Sequence, residues 1–171
     1  MRPLATLILT GFLACVPVHA EERTAVITEQ RNAAVSFALT VDIVTTSLAA
    51  TCAEAGESLA VKAAAARSSW RAHNGHLVDA AHRYLLHVRA VVAAQRGEDA
   101  GRAFYEEQKA RFFAEAKTAL METFPAGGVG ASECEAIVPK LRDGSMNFEA
   151  KPEFFQALLG IKADMSRMVG T

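Results

Sequence analysis

Apolar side chains return every three or four positions along most of this chain, and strict alternation is absent, so the pattern predicts helices and no strand. The intervening positions are rich in Ala, Glu, Lys, Arg and Gln, which lose little by entering a helix. A first helix is expected from Val26 to Ala55, ended by Gly56, with Ile27, Ala34, Val41 and Leu48 as its seam and Phe37 and Val44 beside it. From Asn32 to Ala53 the only charge is Asp42, and Leu39 and Ile43 fall opposite the seam. A helix apolar on nearly every side belongs at the centre of a bundle or at an interface.

A second helix should begin near Ser58 and end before Gly97, either continuous or bent at Asn74-Gly75. Trp70, Leu77, Tyr84 and Val91 recur every seven residues, with Ala81 and Val88 alongside, and mark its inward face. Arg67, Arg71, His82, Arg89 and Arg96 fall within about 60° of one another on another side, which is expected to meet water. A third helix runs from Asp99 to Phe124 and stops at Pro125, with Phe113, Ala116, Leu120 and Phe124 as its stripe and Glu107, Arg111 and Glu115 outside. The glycine-rich segment from Pro125 to Gly130 reads as a flexible connection. Ser132-Glu133-Cys134-Glu135 then has capping-box spacing for a fourth helix, which Pro139 bends or shortens. Pro152 suits the first position of a last helix driven by Phe154, Phe155, Leu158, Leu159, Ile161, Met165 and Met168. The fold class is therefore all-α, a bundle of four to five helices.

The first twenty residues differ from the rest. Met1-Arg2-Pro3 carries one positive charge, Leu4 to Val16 is an uncharged and mostly apolar run, and the segment closes on Val18-His19-Ala20, as in a signal peptide cut before Glu21. The run is shorter than the ~20 residues a bilayer span needs, so no transmembrane anchor is expected after cleavage. Residues 1–20 are read as the signal peptide and 21–171 as one helical domain. Cys15 offers a second reading as a lipid-attachment site, although the large Phe12 and Leu13 before it fit poorly.

Removal of that segment leaves Cys52 and Cys134, an even pair in a chain sent to an oxidising space, and they are expected to form one disulfide. The localisation that follows is periplasmic or secreted. The absence of any Asn-x-Ser/Thr acceptor points to the periplasm. Without Arg2 the chain has 17 basic against 19 acidic side chains, so there is no global attraction to nucleic acid. The charges are nonetheless segregated: the first helical segment is acidic and the second basic, which suits neighbouring helices.

Few residues suggest chemistry. Asp42, isolated in an apolar helix, needs a cation, and Arg83 or His76 is the expected partner. Such a pair could set helix register, contact a ligand, or, with a histidine, act as acid and base in a hydrolase. His73, His76 and Asp79 follow one another at three-residue steps along one helix edge and could hold a divalent metal such as zinc or copper, although a third strong ligand is missing. No Gly-x-Ser-x-Gly, Ser-x-x-Lys, Gly-Lys-Ser/Thr or Cys-x-x-Cys-His occurs, which removes the sequence warrant for those forms of acyl transfer, phosphate binding and covalent haem.

The arginine face, centred on Arg67, Arg71 and Arg89, could meet an unknown protein or another anionic partner. Phe112-Phe113 and Phe154-Phe155 cannot both point into one stripe, and an exposed aromatic edge would favour a homodimer or a partner. The expectation is thus an exported, non-enzymatic binding protein, an inhibitor, immunity-type protein or chaperone-like helper, with no cofactor. The alternative is a metal- or cofactor-binding bundle using His73, His76 and Asp79.

Overall fold

The computed structural model describes residues 25–124 and 130–169. The expected signal peptide, Cys15 and most of the glycine-rich connection lie outside the described residues. Among the described residues the fold is all-α, with five α-helices: α1 (Glu29–Glu54), α2 (Glu57–Arg96), α3 (Glu98–Thr123), α4 (Ala131–Ile137) and α5 (Pro152–Val169). Two short 3-10 turns, Val138–Leu141 and Phe148–Ala150, lie between α4 and α5.

The first helix starts later than its apolar pattern suggested because Thr28 caps it. The Thr28 hydroxyl accepts from the Arg31 amide at 3.2 Å, and Val26 and Ile27 stay outside the helix, 61% and 40% exposed. Ala34 and Leu48 of the expected seam are buried, but so is Leu39 from the opposite side. Packing explains both, since α1 lies against α2, α3 and α5 at once. By length and composition α1 could also cross a membrane, a profile shared by central helices of water-facing bundles.

The α2 helix runs for 40 residues without interruption, about 60 Å at the usual rise. It is bounded by Gly56 (φ 145°) and Gly97 (φ 93°), backbone angles that side chains strain against, and these two glycines make the sharp reversals into and out of the helix. The helix is not broken at Asn74-Gly75. Asn74 is instead buried: its Nδ2 donates to the Trp70 carbonyl at 3.0 Å and to Asn147 Oδ1 at 2.9 Å, while its Oδ1 accepts from the Phe148 amide at 3.1 Å. A polar residue in an apolar stripe thus anchors the turn that precedes α5. Trp70, Leu77 and Tyr84 point inward as expected, and burial along this face ends at Val88, leaving Val91 half-buried.

Two local expectations are corrected. On α3 the core side chain is Phe112 (3% exposed), whereas Phe113 is 58% exposed. Both lie within helical reach of Ala116, three or four residues on, so spacing alone could not choose between them. The capping box at Ser132 is not formed: Gly130 is the N-cap of α4, and the Ser132 hydroxyl donates to Glu133 Oε2 at 2.9 Å. Pro139 acts as anticipated, since α4 gives way to the 3-10 turn that contains it.

The interior has two parts. The larger gathers Trp70, Leu77, Tyr84, Phe112, Phe148 and Leu158 from α2, α3, α5 and the second 3-10 turn, against Ala34, Val35, Ala38 and Leu39 of α1. The smaller, near the Gly56 reversal, packs Leu48, Leu59, Ala63 and Ala66 against Ile137, Val138 and Leu141. In it Cys52 and Cys134 are joined, fully buried, with Cα atoms 5.5 Å apart and 82 residues separating them. Closing a loop of that size stabilises by roughly 4 to 5 kcal/mol on chain-entropy reasoning.

Candidate functional site

The α1/α2 hairpin determines what Asp42 meets. Asp42 lies fourteen residues before Gly56, and fourteen residues after that reversal comes Trp70, flanked by Arg67 and Arg71. These two arginines are one helical turn apart on the same face of α2. Arg67 Nη2 donates to Asp42 Oδ1 at 2.5 Å, and Arg71 Nη1 donates to the same oxygen at 3.2 Å. Arg83 and His76, the partners expected for Asp42, are exposed elsewhere on α2 and do not bond to it. The correction follows from the register of the hairpin about Gly56.

Thr46, one turn beyond Asp42, completes the set. Its hydroxyl donates to the Asp42 carbonyl at 2.7 Å and accepts from Arg67 Nε and Nη2 at 3.1 and 2.8 Å. Arg67 also lies over the Trp70 ring, 4.9 Å from its centroid. The Arg67 and Asp42 side chains are only 18% and 20% exposed, and Arg67 Nη1 is buried without a hydrogen-bond partner. The face expected to be solvated is therefore partly interior at Arg67.

Arg71 extends the network along α2, reaching Asp79 Oδ1 at 2.5 Å. Gly75 lies between them, and a Cβ there would stand 3.0 Å from Arg71 Nε. The missing side chain leaves a track in which Arg71 lies flat against the helix. Two arginines and two aspartates leave this group with no net formal charge, and removing one member would uncover a partly desolvated opposite charge.

The other expected residues have separate tasks. Arg89 Nη2 donates to Glu98 Oε2 at 2.8 Å and ties α2 to the start of α3 across Gly97. His73 Nε2 lies 3.0 Å from Glu149 Oε1, and Asp79 is held by Arg71. Partial burial, with Lys162 nearby, pushes the His76 imidazole below its ordinary value and favours the neutral ring. No three His, Cys, Asp or Glu side chains converge to hold a metal among the described residues. The set His73, His76 and Asp79 is not assembled: His73 pairs with Glu149 and Asp79 with Arg71. Nor are Asp42 and His76 brought together as acid and base: one is held by Arg67 and Arg71, the other lies among His73, Glu149 and Lys162.

One partly buried pair had no signal in the local pattern. Arg31 Nη1 donates to Asp164 Oδ2 at 2.6 Å and links α1 to α5 across 133 residues of chain.

Beside the Asp42 network the outer surface of the hairpin is a shallow groove of about 690 Å³. Ala49 and Ala53 of α1 and Ala60 and Ala64 of α2 line it, and Arg67 and Arg71 stand among its lining residues. Comparison of the chain with family models, with curated proteins and with solved structures returns no match.

Proposed function

We propose that this chain is an exported, non-enzymatic binding protein whose partner lays one amphipathic helix into the α1/α2 groove. The observation that carries the reading is the groove itself. Alanines from both helices let another backbone approach closely, and Arg67 and Arg71 mark where a partner carboxylate would be received. Arg71, with its side chain 38% exposed, is the cation that such a carboxylate would reach from solvent. The occupant is therefore a helix with small apolar side chains on one face and an acidic residue toward the Arg67 end. An inhibitor, an immunity-type protein or a chaperone-like helper would each use such a surface. Export rests on residues 1–20, and the periplasm is the compartment that suits the Cys52–Cys134 disulfide.

A photo-crosslinking residue placed at Ala64 in the full chain, expressed in the exporting cell, tests the reading. The expected result is one discrete crosslinked protein that is absent when the probe sits at exposed Ala90. A second substitution, Ala60→Glu, should remove the adduct while the thermal midpoint is kept. Equal adducts from both probe positions, or an adduct indifferent to Ala60→Glu, would contradict it.

A further inference from the structure

A second concavity lies where α1, α2 and α3 meet, and it shares no lining residue with the α1/α2 groove. Its volume is about 200 Å³, below the range of drug-sized pockets and suited to a ligand of about ten non-hydrogen atoms. The wall is apolar, from Val35, Leu85, Val88, Phe104 and Phe112. Its polar groups come from all three helices: Asn32 from α1, Tyr84 from α2, and Gln108 and Arg111 from α3.

The orientation of these groups favours an acceptor. Tyr84 donates its hydroxyl to Asn32 Oδ1 at 3.0 Å, so the Asn32 oxygen is occupied and its NH2 remains to donate. Burial pushes the Tyr84 phenol above its ordinary value, which keeps that donor protonated at physiological pH.

Arg111 is held by a relay from α1. The Ser36 and Thr40 hydroxyls donate to Glu115 Oε2 at 2.9 and 3.0 Å, and the other Glu115 oxygen lies 3.4 Å from Arg111 Nε. The guanidinium carbon stands 5.6 Å from the Phe112 ring centroid. Because Glu115 engages Nε, both terminal nitrogens stay available for a bidentate contact, and the wall beneath them is aromatic.

We infer that this cleft binds a small carboxylate with an apolar body, its carboxylate on Arg111 and Asn32 and its body against Phe104, Leu85 and Val88. The shared chemistry admits two sources, an aromatic acid or a short aliphatic one. No bond is made or broken, and the proposal is independent of the groove reading.

The test is titration of the isotope-labelled, disulfide-bonded chain with phenylacetate and with hexanoate, read by amide chemical shifts. The expected result is saturable shifts concentrated at residues 84–88 and 104–112. Arg111→Gln, at an exposed position, should weaken binding by about tenfold or more, as should replacing phenylacetate by neutral phenylacetamide. Val88→Phe, which fills the cleft, should abolish the shifts while circular dichroism shows the helical bundle retained. Saturation by one acid alone identifies the aromatic or the aliphatic class. The proposal is overturned if neither acid moves these amides up to about 10 mM, or if Arg111→Gln and Val88→Phe both bind as the parent does.

Discussion

Away from the Gly56 reversal, α1 and α2 close over Trp70, Leu77, Tyr84 and Phe148, with α3 and α5 completing the enclosure; near the reversal they hold Leu48, Cys52, Leu59, Ala63 and Ala66 against the short α4 and its 3-10 turn. The first region draws cohesion from large side chains. Phe148 meets Trp70 edge-on at 5.6 Å and Phe37 at 5.8 Å, and Phe37 stacks on Phe154 at 4.8 Å. Aromatic side chains bury roughly 150 to 250 Å² each, and such contacts add about 0.5 to 1.5 kcal/mol beyond area. The second region has no buried aromatic side chain among the described residues; its nine buried members are aliphatic side chains and the two cysteines. It has the disulfide instead. Where side-chain burial is modest, a covalent tie supplies the order, and the groove assigned to partner binding runs along the outside of that tied region.

The largest way to break the contrast is Trp70→Ala. It removes the biggest buried side chain and leaves the Met146 carbonyl without its 3.0 Å donor from Trp70 Nε1. The expected loss is about 3 to 5 kcal/mol, read as a lower denaturant midpoint with the disulfide intact. A smaller effect is expected for Asp42→Asn, which leaves Arg67 and Arg71 facing a neutral amide. Because Asp42 and Arg67 keep some solvent contact, about 1 to 2 kcal/mol is expected from chemical denaturation at neutral pH.

These two substitutions also separate what sequence could foretell from what it could not. The inward set Trp70, Leu77 and Tyr84 was legible because a heptad spacing survives in a long helix. The Cys52–Cys134 pairing was legible because two sulfurs remained once a leader was assumed. Asp42 was recognisable as a charge needing a partner, but its partner depended on the register of the α1/α2 hairpin, which composition and helical period do not contain. At Asn74-Gly75 the sequence left a continuous or a bent helix open, because the glycine lowers helix propensity locally, whereas the role of Asn74 is decided by three hydrogen bonds to residues 70, 147 and 148. Phe112 and Phe113 are equal in hydrophobicity, and only the rotation of α3 against α1 and α2 distinguishes them. Arg31 and Asp164 stand 133 residues apart, so no window along the chain joins them.

The most direct test compares amide hydrogen exchange in the disulfide-bonded chain with that in the Cys52→Ala/Cys134→Ala variant. Loss of protection is expected in α4 and in α1 and α2 on either side of Gly56, the groove positions 49–64 included, while amides around Leu77 to Val88 keep theirs. Protection lost evenly along α2, or unchanged near Gly56, would contradict a bundle whose two regions are held by different means.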